Sequence, residues 1–254
     1  METTITQRDR QRTIDTDSDA WRSRLLLRRN SRNLAVPGWL EDAWDTFREA
    51  VQDRNYPCFF GGHAYRANAI YHSFVSRSDS GHLPETLRFF LESCRNHPLA
   101  NLAVFFEPFE ESHMQCSARF WAQLQALQDA DGALETEDPD TPMWEFTYCG
   151  VQMFVVGFSP TYRRRRSRNL GRCMVMLFQP RSVFGGDGVD AEIDDRTRSV
   201  IRERILAWDG MPHHSALGSY GDEDNREWKQ YFLPDNDESQ TGGCPLKRRE
   251  GRRT

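Results

Sequence analysis

Lysine is almost absent from this chain: of the 33 basic side chains among 254 residues, only Lys229 and Lys247 are not arginine. Long apolar runs are missing as well. No stretch approaches the roughly 20 apolar residues that a membrane-spanning helix needs, and Met1 to Asp19 has no apolar segment of the kind a secretory signal carries. The expected setting is therefore cytoplasmic, with no membrane partner. A basic excess is lacking too: 38 acidic side chains against 33 basic ones leave a formal net charge of −5. Without a basic footprint to displace phosphate counterions, nucleic acid is not an expected partner. The six cysteines are far apart, with no CxxC and no HxxxH spacing, which argues against a zinc scaffold and fits reduced thiols. GxGxxG after a strand, GxxxxGK[ST], GxSxG and HExxH are all absent, so the usual nucleotide loops, α/β-hydrolase chemistry and zinc-protease chemistry are not expected.

What is present is aromatic. Phe, Trp and Tyr make up 12% of the chain, with seven Trp and sixteen Phe, too many for a disordered chain. Residues 1–33 and 235–254 are polar and charge-rich and read as a flexible arm and a flexible charged tail. Between them, 34–234 reads as one domain without a linker or an internal repeat. Pro37 opens a helix with Trp39, Leu40, Ala43, Trp44, Phe47 and Val51 on one face. Ala67, Ile70, Tyr71 and Phe74 have helical spacing, and Pro84 opens a helix through Leu87, Phe90 and Leu91. Leu102 to Glu107 is expected to be a strand. Ser112 to Gln115 is a capping box ahead of Phe120, Trp121, Leu124 and Leu127. Trp144–Cys149 and Val151–Phe158 flank Gly150 as a hairpin, Cys173–Phe178 is a third strand, and Asp195–Leu206 is a helix with Val200, Ile201 and Ile205 inward. That order predicts an α+β single domain with a mostly antiparallel sheet covered by helices.

Three constellations could carry chemistry. Cys58 in Tyr56-Pro57-Cys58-Phe59-Phe60-Gly61 is a thiol ahead of a helix, either a reactive thiolate or soft metal ligand, or a small buried hydrophobe in an aromatic turn. Arg163 to Arg166 and Arg168 follow a strand, and Arg181 follows another. Guanidiniums there suit bidentate capture of a carboxylate or phosphate, or a solvated loop. His213 and His214 lie on a Gly-rich loop flanked by Met211, Trp208 and Tyr220, where one imidazole can reach a pocket as an axial ligand or simply hydrogen-bond within the loop. Glu107, Glu110 and Glu111 form an acidic stretch that suits a cationic substrate or a helix cap.

Together with Phe120-Trp121-Ala122-Gln123-Leu124-Gln125, Asp131, Trp144-Glu145-Phe146, Gly150, Arg166-Ser167-Arg168, Phe178 to Phe184 and His214 to Gly221, the turn at Tyr56–Gly61 forms an ordered series. It resembles the YqcI/YcgG family over roughly Trp39 to Leu233, although Ser215 stands where the family pattern has proline after the histidine. The resemblance implies a heme-dependent monooxygenase that N-hydroxylates the guanidine of L-arginine or a related amino or guanidino compound in natural-product biosynthesis. It implies heme b as cofactor, with O2, a cationic substrate and a separate electron donor as partners, and leaves a homodimer open. On that basis His214 is the expected iron ligand, with Cys58 as the competing choice. Arg166, Arg168 and Arg181 are candidates for the propionates or a substrate carboxylate. Cys58, Phe59, Phe60 and Trp121 are candidates for cofactor contact, and Glu107 or Glu110 for the substrate cation. The alternatives are a non-heme metal enzyme using Asp209, His213 and His214, or a non-catalytic anion-binding module.

Overall fold

The structure is a computed structural model and describes residues 36–77, 81–132, 137–184 and 195–247, with the side chain of Phe59 excepted. The predicted arm over 1–33 lies outside the described residues. Helix α1 (Gly38–Gln52) starts behind Pro37 and buries Leu40, Ala43, Trp44, Phe47 and Val51, the stripe its spacing predicts. Helix α2 (Phe59–Arg66) follows, with Cys58 at its N-cap. Asn68 then takes φ 53°, turning the chain into strand β1 (Ile70–Val75). The helical expectation for Ala67 to Phe74 is thus corrected. A strand covered on both faces is apolar at nearly every position, and so short a run does not reveal its period.

Helix α3 (Leu83–Ser93) carries Pro84 in its first turn, and β2 (Asn101–Phe106) is buried along its whole length. Helix α4 (His113–Asp131) begins with the expected capping box: Ser112 accepts from the Gln115 N–H while the Gln115 side chain accepts from the Ser112 N–H. The hairpin of β3 (Phe146–Tyr148) and β4 (Val151–Phe158) turns through Cys149 and Gly150, both at positive φ (49° and 73°), as a tight two-residue turn requires. Strand β5 (Val175–Pro180), helix α5 (Asp195–Asp209) and the short helix α6 (Trp228–Tyr231) complete the described elements. In α5 Ile205 is buried, but Val200 is 39% exposed, so that part of the expected inward face points outward.

The five-stranded sheet has the order β1-β2-β5-β4-β3, with β1 and β2 parallel and the other three pairs antiparallel. The fold is α+β in a single domain. Alternation along β2 builds the two layers. Leu102, Val104 and Phe106 enter a core with α3, α4 and α6, while Ala103 and Phe105 enter another with α1 and α2. No helix among the described residues is long and apolar enough to cross a membrane.

The expected tail is corrected over 235–247, which pack onto the domain. The Asp235 carboxylate accepts from the backbone N–H of Arg163, Arg164 and Arg165, and Leu246 is buried in the first core. Arg165, 1% exposed, donates to the carbonyls of Pro212, Pro234 and Asn236 and pairs with Asp237 at 2.7 Å.

Candidate functional site

A cavity of about 260 Å³ lies between α1, α2 and α5 and the sheet face that carries Phe154, Val156 and Phe158. Phe47, Phe60, Ile201 and Ile205 add apolar wall. Its polar lining includes Cys58, Arg168, Arg181, Tyr220, Glu227 and Gln230. This is the mixture a small-molecule site uses: apolar area for binding energy and a few fixed polar groups for orientation.

Cys58 enters the cavity because it caps α2. Its side chain makes no capping hydrogen bond, and it lies near the backbone N–H groups of Gly61 and Phe60. Burial pushes the thiol up, and these donors together with Arg168 pull it back toward the thiolate. Gly61 permits this entry: a Cβ there would lie 2.7 Å from Val51 Cγ1, so only glycine lets α2 sit this close to α1.

Arg168 ends a 3-10 turn, Arg166–Arg168, and also lines the cavity. Its Nη2 donates to the Gln230 carbonyl at 3.1 Å, whereas its buried Nη1 has no hydrogen-bond partner among the described residues. Arg181 sits 3.3 Å from the Tyr220 ring centroid, and its Nη1 pairs with the buried Glu145. Burial pushes the Glu145 carboxyl up and Arg181 pulls it down. Glu227, 4% exposed, accepts from Asn225 Nδ2 at 2.6 Å and Gln230 Nε2 at 3.3 Å, both on Oε1.

Several expected site residues stand elsewhere. His214 is fully buried and does not line the cavity. Its Nδ1 accepts from the Ala216 N–H at 3.0 Å, so Nε2 carries the proton and donates to the Glu238 carbonyl at 3.1 Å. With both ring nitrogens so used, this imidazole has no lone pair for a metal, and the structure gives it the work of joining its loop to the C-terminal segment. Arg166 is exposed and donates to the Trp208 carbonyl. Trp121 packs near Trp228 and Tyr231 in the first core, on the opposite side of the sheet. Glu107 accepts from the Arg77 N–H at 2.9 Å, Glu110 is exposed, and neither lines the cavity. The side chain of Phe59 lies outside the described residues. Asp209 does line the cavity but is engaged by the Ser167 N–H and hydroxyl at 2.6 and 2.8 Å, and no group of three or more His, Cys, Asp or Glu among the described residues is arranged to hold a metal ion.

The structure thus brings together Cys58, Arg168 and Arg181 from the expected set and adds Glu145, Tyr220, Glu227 and Gln230. A carboxylate inside an aromatic run, Glu227 before Trp228 and Tyr231, is the one sequence signal that marks the new group as buried.

The chain has relatives among known proteins, while no solved structure matches it. YqcI of Bacillus subtilis (strain 168), an uncharacterized protein, is 32% identical over 227 residues, covering 83% of this chain and 89% of that one. YcgG of the same organism, also uncharacterized, is 33% identical over 227 residues, with the same coverage of 83% and 89%. A protein of Streptomyces lavendulae named as a candidate N(omega)-hydroxy-L-arginine synthase, DcsA, is 31% identical over 224 residues, covering 82% of this chain and 84% of that one. The model of the YqcI/YcgG family matches residues 47–247, a span that includes nearly every group lining the cavity, and the chain belongs to that family.

Proposed function

We propose that this protein is a heme-dependent monooxygenase that N-hydroxylates the guanidine of L-arginine or a related cationic amino or guanidino compound, in natural-product biosynthesis. The name of the Streptomyces lavendulae relative supports the substrate class. The observation that carries the reading is the placement of Cys58: a thiol at a helix N-terminus, near two backbone N–H groups and lining an apolar cavity. The donor set suits an iron porphyrin. It combines one soft sulfur, aromatic and aliphatic walls, and a buried guanidinium whose Nη1 lacks a partner among the described residues.

A bound heme supplies dioxygen activation, with electrons from a separate donor. The work of this chain's own residues follows from their chemistry. Cys58 is the proposed iron ligand in place of His214. The Phe60 and Gly61 N–H groups spread the charge of its thiolate, and burial opposes that charge until a metal offsets it, so ligation and proton loss are coupled. Arg168 Nη1 is the proposed anchor for a propionate. Phe47, Phe154 and Phe158 keep water from the reacting nitrogen.

Protein produced with a heme precursor is expected to show a Soret band and, with O2 and a reductant, to add one oxygen atom to L-arginine by mass spectrometry. Cys58→Ala should abolish or displace that band. His214→Ala should keep it while losing about 1–3 kcal/mol of stability in urea unfolding, because a buried ring is removed and the Ala216 N–H and Glu238 carbonyl lose their partner. A colourless parent protein, or an unchanged band in Cys58→Ala, overturns the reading.

A further inference from the structure

We propose that Glu227 is the anchor for the substrate's positive charge, its carboxylate taking the guanidinium or ammonium group of the ligand in the cavity. The inference rests on the functional reading above and adds the group that selects a cation.

Buried carboxylates are held by a cation or by several donors, because an ionised group without them costs several kcal/mol. The two buried carboxylates at this end of the cavity differ in that respect. Glu145 has its cation, Arg181, which is also pressed against the Tyr220 ring. Glu227 has only amides. Asn225 and Gln230 both donate to Oε1, and no hydrogen bond among the described residues reaches Oε2. Since the residue lines the cavity, Oε2 is the atom left for a ligand. Arg198, another lining cation, is paired at 2.8 Å with Asp195, whose side chain is exposed.

The amide cradle is a built feature. Asn225 Oδ1 accepts from Gln230 Nε2 at 2.9 Å, so the two amides brace each other as well as the carboxylate. A Cβ at Gly218 would come within 2.5 Å of Asn225 Oδ1, so the loop leaves room there for that amide. Burial and the nearby Glu145 raise Glu227 to about 7, with Arg181 and Arg198 pulling the other way, the condition of a carboxyl that lacks a counter-charge of its own.

The cradle also sets spacing. Gln230 touches Glu227 through its side chain and Arg168 through its carbonyl, so a carboxylate and a guanidinium stand at the two ends of one residue. The expected acidic groups cannot do this work, since Glu107 and Glu110 lie outside the cavity.

The test is calorimetric titration of the full-length, heme-loaded protein with L-arginine and with L-citrulline, which replaces the guanidinium by a neutral urea of similar size. The parent should prefer arginine by tenfold or more. Glu227→Gln should weaken arginine by about 30-fold or more, change citrulline little and leave the Soret band in place; Glu227→Asp should recover part of the loss. If Glu227→Gln binds arginine as the parent does, this assignment is overturned and the functional reading stands. If the parent itself does not prefer arginine to citrulline, the assignment and the arginine reading fall together. Equal loss of both ligands with a disturbed Soret band assigns Glu227 a structural role and also overturns the proposal.

Discussion

At the scale of single residues, the histidines show how burial decides what a side chain can do. His72 is fully buried on β1, with its ring stacked 4.3 Å from that of Trp44, and burial lowers it to about 3. An unfolded chain keeps the histidine near 6.5. Below that pH the unfolded state takes up a proton that the folded state refuses, so stability is lost as pH falls from about 6.5 toward about 3, by roughly 1 kcal/mol per pH unit. His214, lowered mainly by burial, contributes with the same sign. Glu227, raised to about 7, opposes them, because its folded form holds the proton more tightly and stability is lost as pH rises toward that value. The difference between parent and His72→Phe isolates the β1 histidine. Urea unfolding of the variant should show a flatter acid limb, and an identical slope in both proteins would mean that His72 is already protonated in the fold.

At the scale of elements, glycine and capping chemistry explain why segments approach as they do. Gly157 on β4 faces the first core, where a Cβ would lie 2.5 Å from Phe232 Cδ2 and 3.0 Å from the Phe120 ring. Both rings are buried and pinned by neighbours, so they have little room to yield. Gly157→Ala should therefore cost about 1–3 kcal/mol, read as a lower thermal midpoint. It should leave unmoved the Soret band expected of the proposed heme, since the cavity is on the other face of β4. The Ser112–Gln115 capping box and the turn at Cys149–Gly150 were legible because each is written in four or fewer consecutive residues. Strand β1 was not, because Ala67, Ile70, Tyr71 and Phe74 satisfy a helical period while coverage of both faces removes the alternation that marks a strand.

At the scale of the whole molecule, the C-terminal segment is a structural part of the domain. Arg165 is buried among carbonyls and Asp237, and the Asp235 carboxylate closes the backbone turn at Arg163 to Arg165. A chain ending at residue 234 leaves that guanidinium buried without its anion and removes Leu246 from the core. It should lose about 3–5 kcal/mol. Urea midpoints and the rate of limited proteolysis check this; a truncated chain as stable as the parent would show that the clamp carries no energy.

The amino-acid sequence by itself determined the α+β class, the α1 stripe, the capped α4, the hairpin and the thiol ahead of α2, because each is a pattern of neighbours one or two turns apart. The membership of the cavity was decided only by tertiary structure. The hydroxyl of Tyr56 reaches the Ser167 carbonyl across 111 positions, and Arg168 meets Gln230 across 62, so no local spacing records them. The proposal of Cys58 in place of His214 as the iron ligand has the same origin. As a string of letters, His214 is a ligand on a Gly-rich loop; folding brings the Glu238 carbonyl, 24 positions on, against its Nε2, and an imidazole so occupied has nothing left to offer a metal.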